Sequence, residues 1–191
     1  MKIKALLSSL ATMALCAGMG TASHASGWLK TGGQASRPFG HVEYCAASRS
    51  DCGKRKAAAK LPAVSLAKLR AVNKAVNKSI KPVSDKDQYG TREKWVKGAK
   101  AGDCEDYALT KRARLSGLGI SKANLLLAIG RAAGEAHTLL VVRTRDGDFV
   151  LNNLNDDVTP ISRSTLGISK IQSPDNGAEW LRVTGVLRSA T

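Results

Sequence analysis

The sequence predicts an α+β domain in which helices come first and an antiparallel sheet follows. Apolar residues recur at helical spacing from Leu66 to Ile80, and a further helix-length segment stops at Gly117-Leu118-Gly119. Beyond it, short runs rich in β-branched and large apolar residues alternate with turn residues. With 191 residues, the chain can bury a sizeable core in one domain.

The first segment is a leader. Lys2 and Lys4 precede an apolar stretch from Ala5 to Ala22, and Ser23-His24-Ala25 offers the small residues that a signal peptidase reads. Export with cleavage after Ala25 is expected, which makes residues 1–25 a signal peptide and 26–191 a single domain. The stretch is too rich in Ala, Ser and Gly for a convincing permanent span, an uncleaved anchor being the alternative. Cys16 follows Leu15 rather than the small residue that precedes a lipidated cysteine, so it leaves with the leader.

Ser26 to Lys60 is rich in Gly, Ser, Ala and Lys and contains Pro38-Phe39-Gly40, which predicts loops and at most a short element. Three cysteines remain after cleavage. Cys45 and Cys52 lie close enough to close a small disulfide ring, with a metal site or an intermolecular bridge as alternatives, and Cys104 is then unpaired.

Leu66, Leu69, Val72, Val76 and Ile80 define the first helix, which Pro62 suits at its start and Pro82 ends. Asp85 to Gly90 reads as a turn, and a second short helix carries Trp95. Gly98 and Gly102 break the chain before a third helix from Asp103 to Ser116. Strands follow at Leu125–Ile129, Thr138–Arg143, Phe149–Leu154 and Trp180–Val186, with a hairpin turn at Asp146-Gly147.

The net charge is +15, or +13 once Lys2 and Lys4 are removed. The basic residues spread from Lys54 to Arg188 without an aromatic stacking stripe or a nucleic-acid motif, so a solvated basic surface is expected and a nucleic-acid partner is not.

The chemistry centres on Gly102-Asp103-Cys104-Glu105-Asp106-Tyr107-Ala108. A thiol at a helix N-terminus meets unsatisfied N–H groups and the positive end of the dipole, which favour thiolate. Asp103, Glu105 and Asp106 oppose that by like-charge repulsion unless a cation binds them, which points to a nucleophile beside a Ca²⁺ site. The plainer alternatives are a small buried cysteine and ordinary first-turn acids. Of the histidines, His24 lies in the leader and His41 in the early loops, while His137 opens the strand Thr138–Val142, where an imidazole can take the thiol proton. Asn152 on the next strand is the candidate to orient it.

On these residues the chain resembles the bacterial transglutaminase-like cysteine peptidases. The likeness rests on Gly102–Ala108, on His137 at a strand start, on Val150–Leu154, on Tyr89-Gly90 with Trp95, and on the Cys45/Cys52 pair. It implies a papain-like, transglutaminase-like fold, a Cys-His-Asp triad, and Ca²⁺ held by acids beside the nucleophile. It also implies a monomeric periplasmic protease whose protein substrate is a cell-surface adhesin and whose regulatory partner is an inner-membrane receptor. One departure falls at the triad: the family usually reads Val-Leu-Asp-Asn where this chain has Val150-Leu151-Asn152-Asn153. An amide can still accept the imidazole N–H, and Asp156 or Asp157 could substitute after a register shift. The reading is an exported Ca²⁺-dependent cysteine peptidase with Cys104, His137 and Asn152 as catalytic residues and Asp103, Glu105 and Asp106 as metal ligands. The alternative is a catalytically weak Ca²⁺-binding interaction module on the same fold.

Overall fold

The computed structural model describes residues 27–56 and 60–188; the expected leader, with Cys16 and His24, lies outside them. Seven strands form one antiparallel sheet in the order β1-β9-β8-β4-β5-β6-β7. These are β1 (Gly27–Ala35), β4 (Leu125–Ala132), β5 (Glu135–Thr144), β6 (Gly147–Leu151), β7 (Val158–Pro160), β8 (Lys170–Gln172) and β9 (Trp180–Arg188). The helices are α1 (Phe39–Ala47), α2 (Arg49–Cys52), α3 (Leu66–Ser79), α4 (Asp85–Tyr89) and α5 (Cys104–Gly117). Two short parallel strands, β2 (Lys81–Pro82) and β3 (Ala101–Gly102), lead into α5. The architecture is the predicted α+β class. No helix among the described residues is long and apolar enough to cross a membrane.

The central strands are buried on both faces, which is why β4 reads as a continuous apolar run rather than an alternation. Leu125, Leu127, Leu140, Val142, Phe149 and Leu151 pack with Leu109 and Leu115 of α5. Leu126, Ala128, Leu139, Val141 and Val150 form a second core with Leu29, Ile161 and Ile171. The sheet curls, so β1 meets β5 and β6 beyond its paired neighbour: Leu29 N–H donates to Asp148 at 2.8 Å and Trp28 Nε1 to the Thr144 carbonyl at 3.1 Å.

Several sequence expectations are corrected. The segment from Ser26 to Lys60 holds the nine-residue β1 and the helices α1 and α2, not loops alone. Strand β1 pairs with the distant β9 (Gly27↔Arg188), a non-local contact that its Gly-rich composition does not signal. The turn expected at Asp85–Gly90 is α4, capped by Ser84 Oγ accepting from Asp87 N–H and ended by Gly90 in the left-handed region. No helix carries Trp95. Its segment is irregular because its amides go to acids: Lys94 N–H to Asp85 and Val96 N–H to Asp106 at 2.6 Å. The strand expected through Leu154 ends at Leu151, where Asn152 Oδ1 accepts from Leu154 N–H at 2.7 Å and turns the chain. Cys45 and Cys52 do form a disulfide, and Cys104 is free.

Candidate active site

Helix α5 begins because the Asp103 carbonyl accepts from the N–H groups of Asp106 and Tyr107. Cys104 is its first residue, and the thiol lies against β5: Thr138 N–H donates to Sγ at 3.3 Å. The thiol in turn donates to the Glu105 carboxylate at 3.2 Å. Burial, then the charges of Glu105 and Asp103, push the thiol well above its usual range. In this charge state the site therefore disfavours thiolate.

His137 is buried and its Nε2 has no hydrogen-bond partner among the described residues. Burial, and then the charge of Lys111, hold its imidazole below the ordinary value. Asn152 is also buried, just past β6. Its side-chain oxygen accepts from Leu154 N–H and makes no hydrogen bond to His137. Asn73 and Asn77 of α3 hold this loop by its main chain: Asn73 Nδ2 donates to the carbonyls of Asn155 and Asp157, and Asn77 Nδ2 to those of Asn155 and Asn152. Asn77 also reaches the Asp156 carboxylate at 3.2 Å.

The acids are arranged around a point. One carboxylate oxygen from each of Asp85, Asp103 and Asp106 lies within 4.8 Å of the others. One oxygen of each accepts from a backbone amide: Asp85 from Lys94 N–H, Asp103 from Asp85 N–H at 3.3 Å, and Asp106 from Val96 N–H at 2.6 Å. Asp85 Oδ1, Asp103 Oδ1 and Asp106 Oδ2 are left buried with no partner among the described residues. Burial, with the neighbouring acids, raises Asp85 and pushes Asp106 up to about 7. Buried acceptors without donors are costly, and three of them in one cluster of acids fit a hard cation with oxygen ligands. Glu105 falls in a second grouping, with Asp103 and Cys104, and is raised by burial and by Asp103.

Gly102 makes the cluster possible, because a Cβ there would lie 1.8 Å from Asp106 Oδ2. Asp85 was missed in the sequence, where it reads as one acid of a polar turn; the Ser84-to-Asp87 cap is the signal that would have placed it in a helix's first turn.

Residues 31–187 match the family described as bacterial transglutaminase-like cysteine proteinase. No curated protein matches the chain. Among solved structures, it is similar to Legionella pneumophila LapG in its calcium-bound form, with 20% identity over 65% of this chain and 71% of that one, at a TM-score of 0.51. The EGTA-treated form of that protein aligns at 21% identity over 62% of this chain and 66% of that one, with a TM-score of 0.49.

Proposed function

The chain belongs to the bacterial transglutaminase-like cysteine proteinase family and is a cysteine peptidase, and on that premise we propose that Cys104 is the nucleophile, His137 the general base and acid, and Asn152 the residue that orients His137. The observation that best supports this reading is the setting of Cys104, a free thiol at the first position of α5, held against β5 by the amide that follows His137. His137 takes the thiol proton and the sulfur attacks the scissile carbonyl. The C–N bond then breaks, the amine leaves with that proton, and a thioester remains. Water attacks the thioester, gives its proton to His137, and the acid product leaves as the thiol is restored. The N–H of Cys104, at the open end of α5, is the proposed oxyanion donor. An amine in place of water would give acyl transfer from the same intermediate.

The same proposal assigns Ca²⁺ to Asp85, Asp103 and Asp106, with Glu105 beside them, because their three unpartnered buried oxygens suit a hard cation. Bound there, it supplies positive charge that offsets the acids and lowers the cost of a thiolate at Cys104. The calcium-bound state of Legionella LapG belongs to that protein, and it makes Ca²⁺ the ion to test first. The proposed location is the periplasm, reached by cleavage after Ala25. The proposed substrate is a surface adhesin, the regulator an inner-membrane receptor, and the working form a monomer.

The test compares new N-termini in envelope proteins treated with the exported enzyme or its Cys104→Ala variant, each with Ca²⁺ or a chelator. New termini that require both Cys104 and Ca²⁺ are expected, and an adhesin fragment should be among them. If the two proteins give identical termini, Cys104 is not the nucleophile. If the chelator leaves cleavage unchanged, the assignment of Ca²⁺ fails. If a folded protein gives no new termini with an adhesin present, the chain acts as the interaction module.

A further inference from the structure

Lys111 is fully buried, and among the described residues no carboxylate forms an ion pair with it. Its ammonium donates to the main-chain carbonyl of Asn152 at 2.7 Å and lies 5.7 Å from the centre of the Tyr107 ring. Burial pushes it down to about 7, against the charge of Asp156, which raises it. Burying an ammonium without a counter-ion is costly, and an apolar side chain of similar volume would fill the same space at lower cost. A lysine that packing alone does not favour, on the helix that carries the free thiol and with its charge reaching a buried histidine, points to function.

Its position gives the role. Lys111 lies seven residues after Cys104 on α5, two helical turns on, so the two side chains project from one face. The carbonyl it holds belongs to Asn152, and its charge reaches His137. Asn73 and Asn77 fix the loop after β6 from α3, whereas Lys111 fixes it from the helix that carries the thiol.

We infer that Lys111 is a positioning residue of the active site: by holding the Asn152 carbonyl from the helix that carries Cys104, it sets Asn152 against His137 and so tunes the reactivity of the thiol. This rests on the proposed triad. The test reads the rate of Cys104 alkylation by iodoacetamide in the Ca²⁺-loaded exported protein, which needs no substrate, alongside thermal melting. Lys111→Met is expected to melt at or above the wild-type temperature yet alkylate about tenfold more slowly, as Asn152→Ala should. The double variant should be no slower than the slower single one, because both act along one route. Lys111→Gln keeps a donor for the carbonyl and should remain within about threefold of wild type.

A folded Lys111→Met protein with wild-type reactivity, while Asn152→Ala is slow, overturns the inference and leaves the triad standing. An unaffected Asn152→Ala overturns both the triad assignment and the route through it. Should Lys111→Met not fold, a folded Lys111→Gln protein as slow as Asn152→Ala overturns the inference.

Discussion

The amide of Thr138 points at the sulfur of Cys104 from 3.3 Å, so the first residue of α5 is fastened to β5 one position past His137. The same sulfur donates to Glu105, and the charges of Glu105 and Asp103 add to burial in holding the proton on it. Reactivity should therefore follow local charge. Alkylation of Cys104 near neutral pH is expected to be about tenfold faster with Ca²⁺ than with a chelator, since only the thiolate reacts and one pKa unit is a factor of ten. In chelator, at a pH high enough to ionise the raised Glu105 carboxyl, Glu105→Gln should speed the reaction by removing a like charge. A slower Glu105→Gln protein in chelator would show that Glu105 promotes ionisation, against this account.

The acid cluster predicts a crossing of stabilities. In chelator, Asp106→Asn should melt above wild type, because the amide still accepts from Val96 N–H while the cost of burying a charge, and then its repulsion by Asp103 and Asp85, is gone. With Ca²⁺ at about 100 times its Kd, wild type should gain about 2.7 kcal/mol, or about 5–10 °C. Asp85→Asn, Asp103→Asn and Asp106→Asn should lose most of that gain. Gly102→Ala should lose it too, since its Cβ would displace Asp106 Oδ2. Calorimetric scans with and without Ca²⁺ decide this, and equal gains in all five proteins would remove the ion from these residues.

The parts of the fold that were legible are those with local signals. Apolar periodicity marks α3, the Gly117–Gly119 stop marks the end of α5, and runs of β-branched and large apolar residues mark β4 and β5. What stayed hidden depends on distant partners. Strand β1 is Gly-rich and is ordered by β9, at the far end of the chain, and α4 has five polar or aromatic residues and no apolar face to read. The site divides in the same way. Cys104 and its flanking acids announce themselves within one motif. Asp85 joins them only through the tertiary path that brings α4 beside α5, and the turn of Asn152 toward Leu154 N–H depends on where β6 ends.

The Asn152 departure is testable by reversal. An aspartate there would still accept from Leu154 N–H with one oxygen and would leave a charged second oxygen for the imidazole. Asn152→Asp should stabilise the imidazolium, offset the Lys111 charge that lowers His137, and raise kcat/KM by about tenfold. Single-turnover cleavage of the substrate found by N-terminal mapping measures it. A variant that folds but cleaves more slowly would remove Asn152 from the orienting role.

His41 provides a pH dependence that owes nothing to the catalytic site. It is fully buried among Tyr44, Trp95 and Trp180, and its Nδ1 accepts from Trp180 Nε1 at 3.1 Å. Burial, and then the charges of Arg112, Arg37 and Arg55, push its imidazole down to about 3. The unfolded chain binds a proton at this residue below about pH 6.5, whereas the native protein does so only near pH 3. The contribution of His41 to stability is therefore complete above about pH 6.5 and is lost as pH falls, at about 1.4 kcal/mol per pH unit. Other groups titrate in the same window, so the informative quantity is the stability of wild type minus that of His41→Gln, measured by urea unfolding in which those groups cancel. That difference should shrink with the stated slope from about pH 6.5 downward. A difference that stays flat from pH 7 to 4 would mean that His41 is protonated in the native core, with Trp180 Nε1 no longer donating to it.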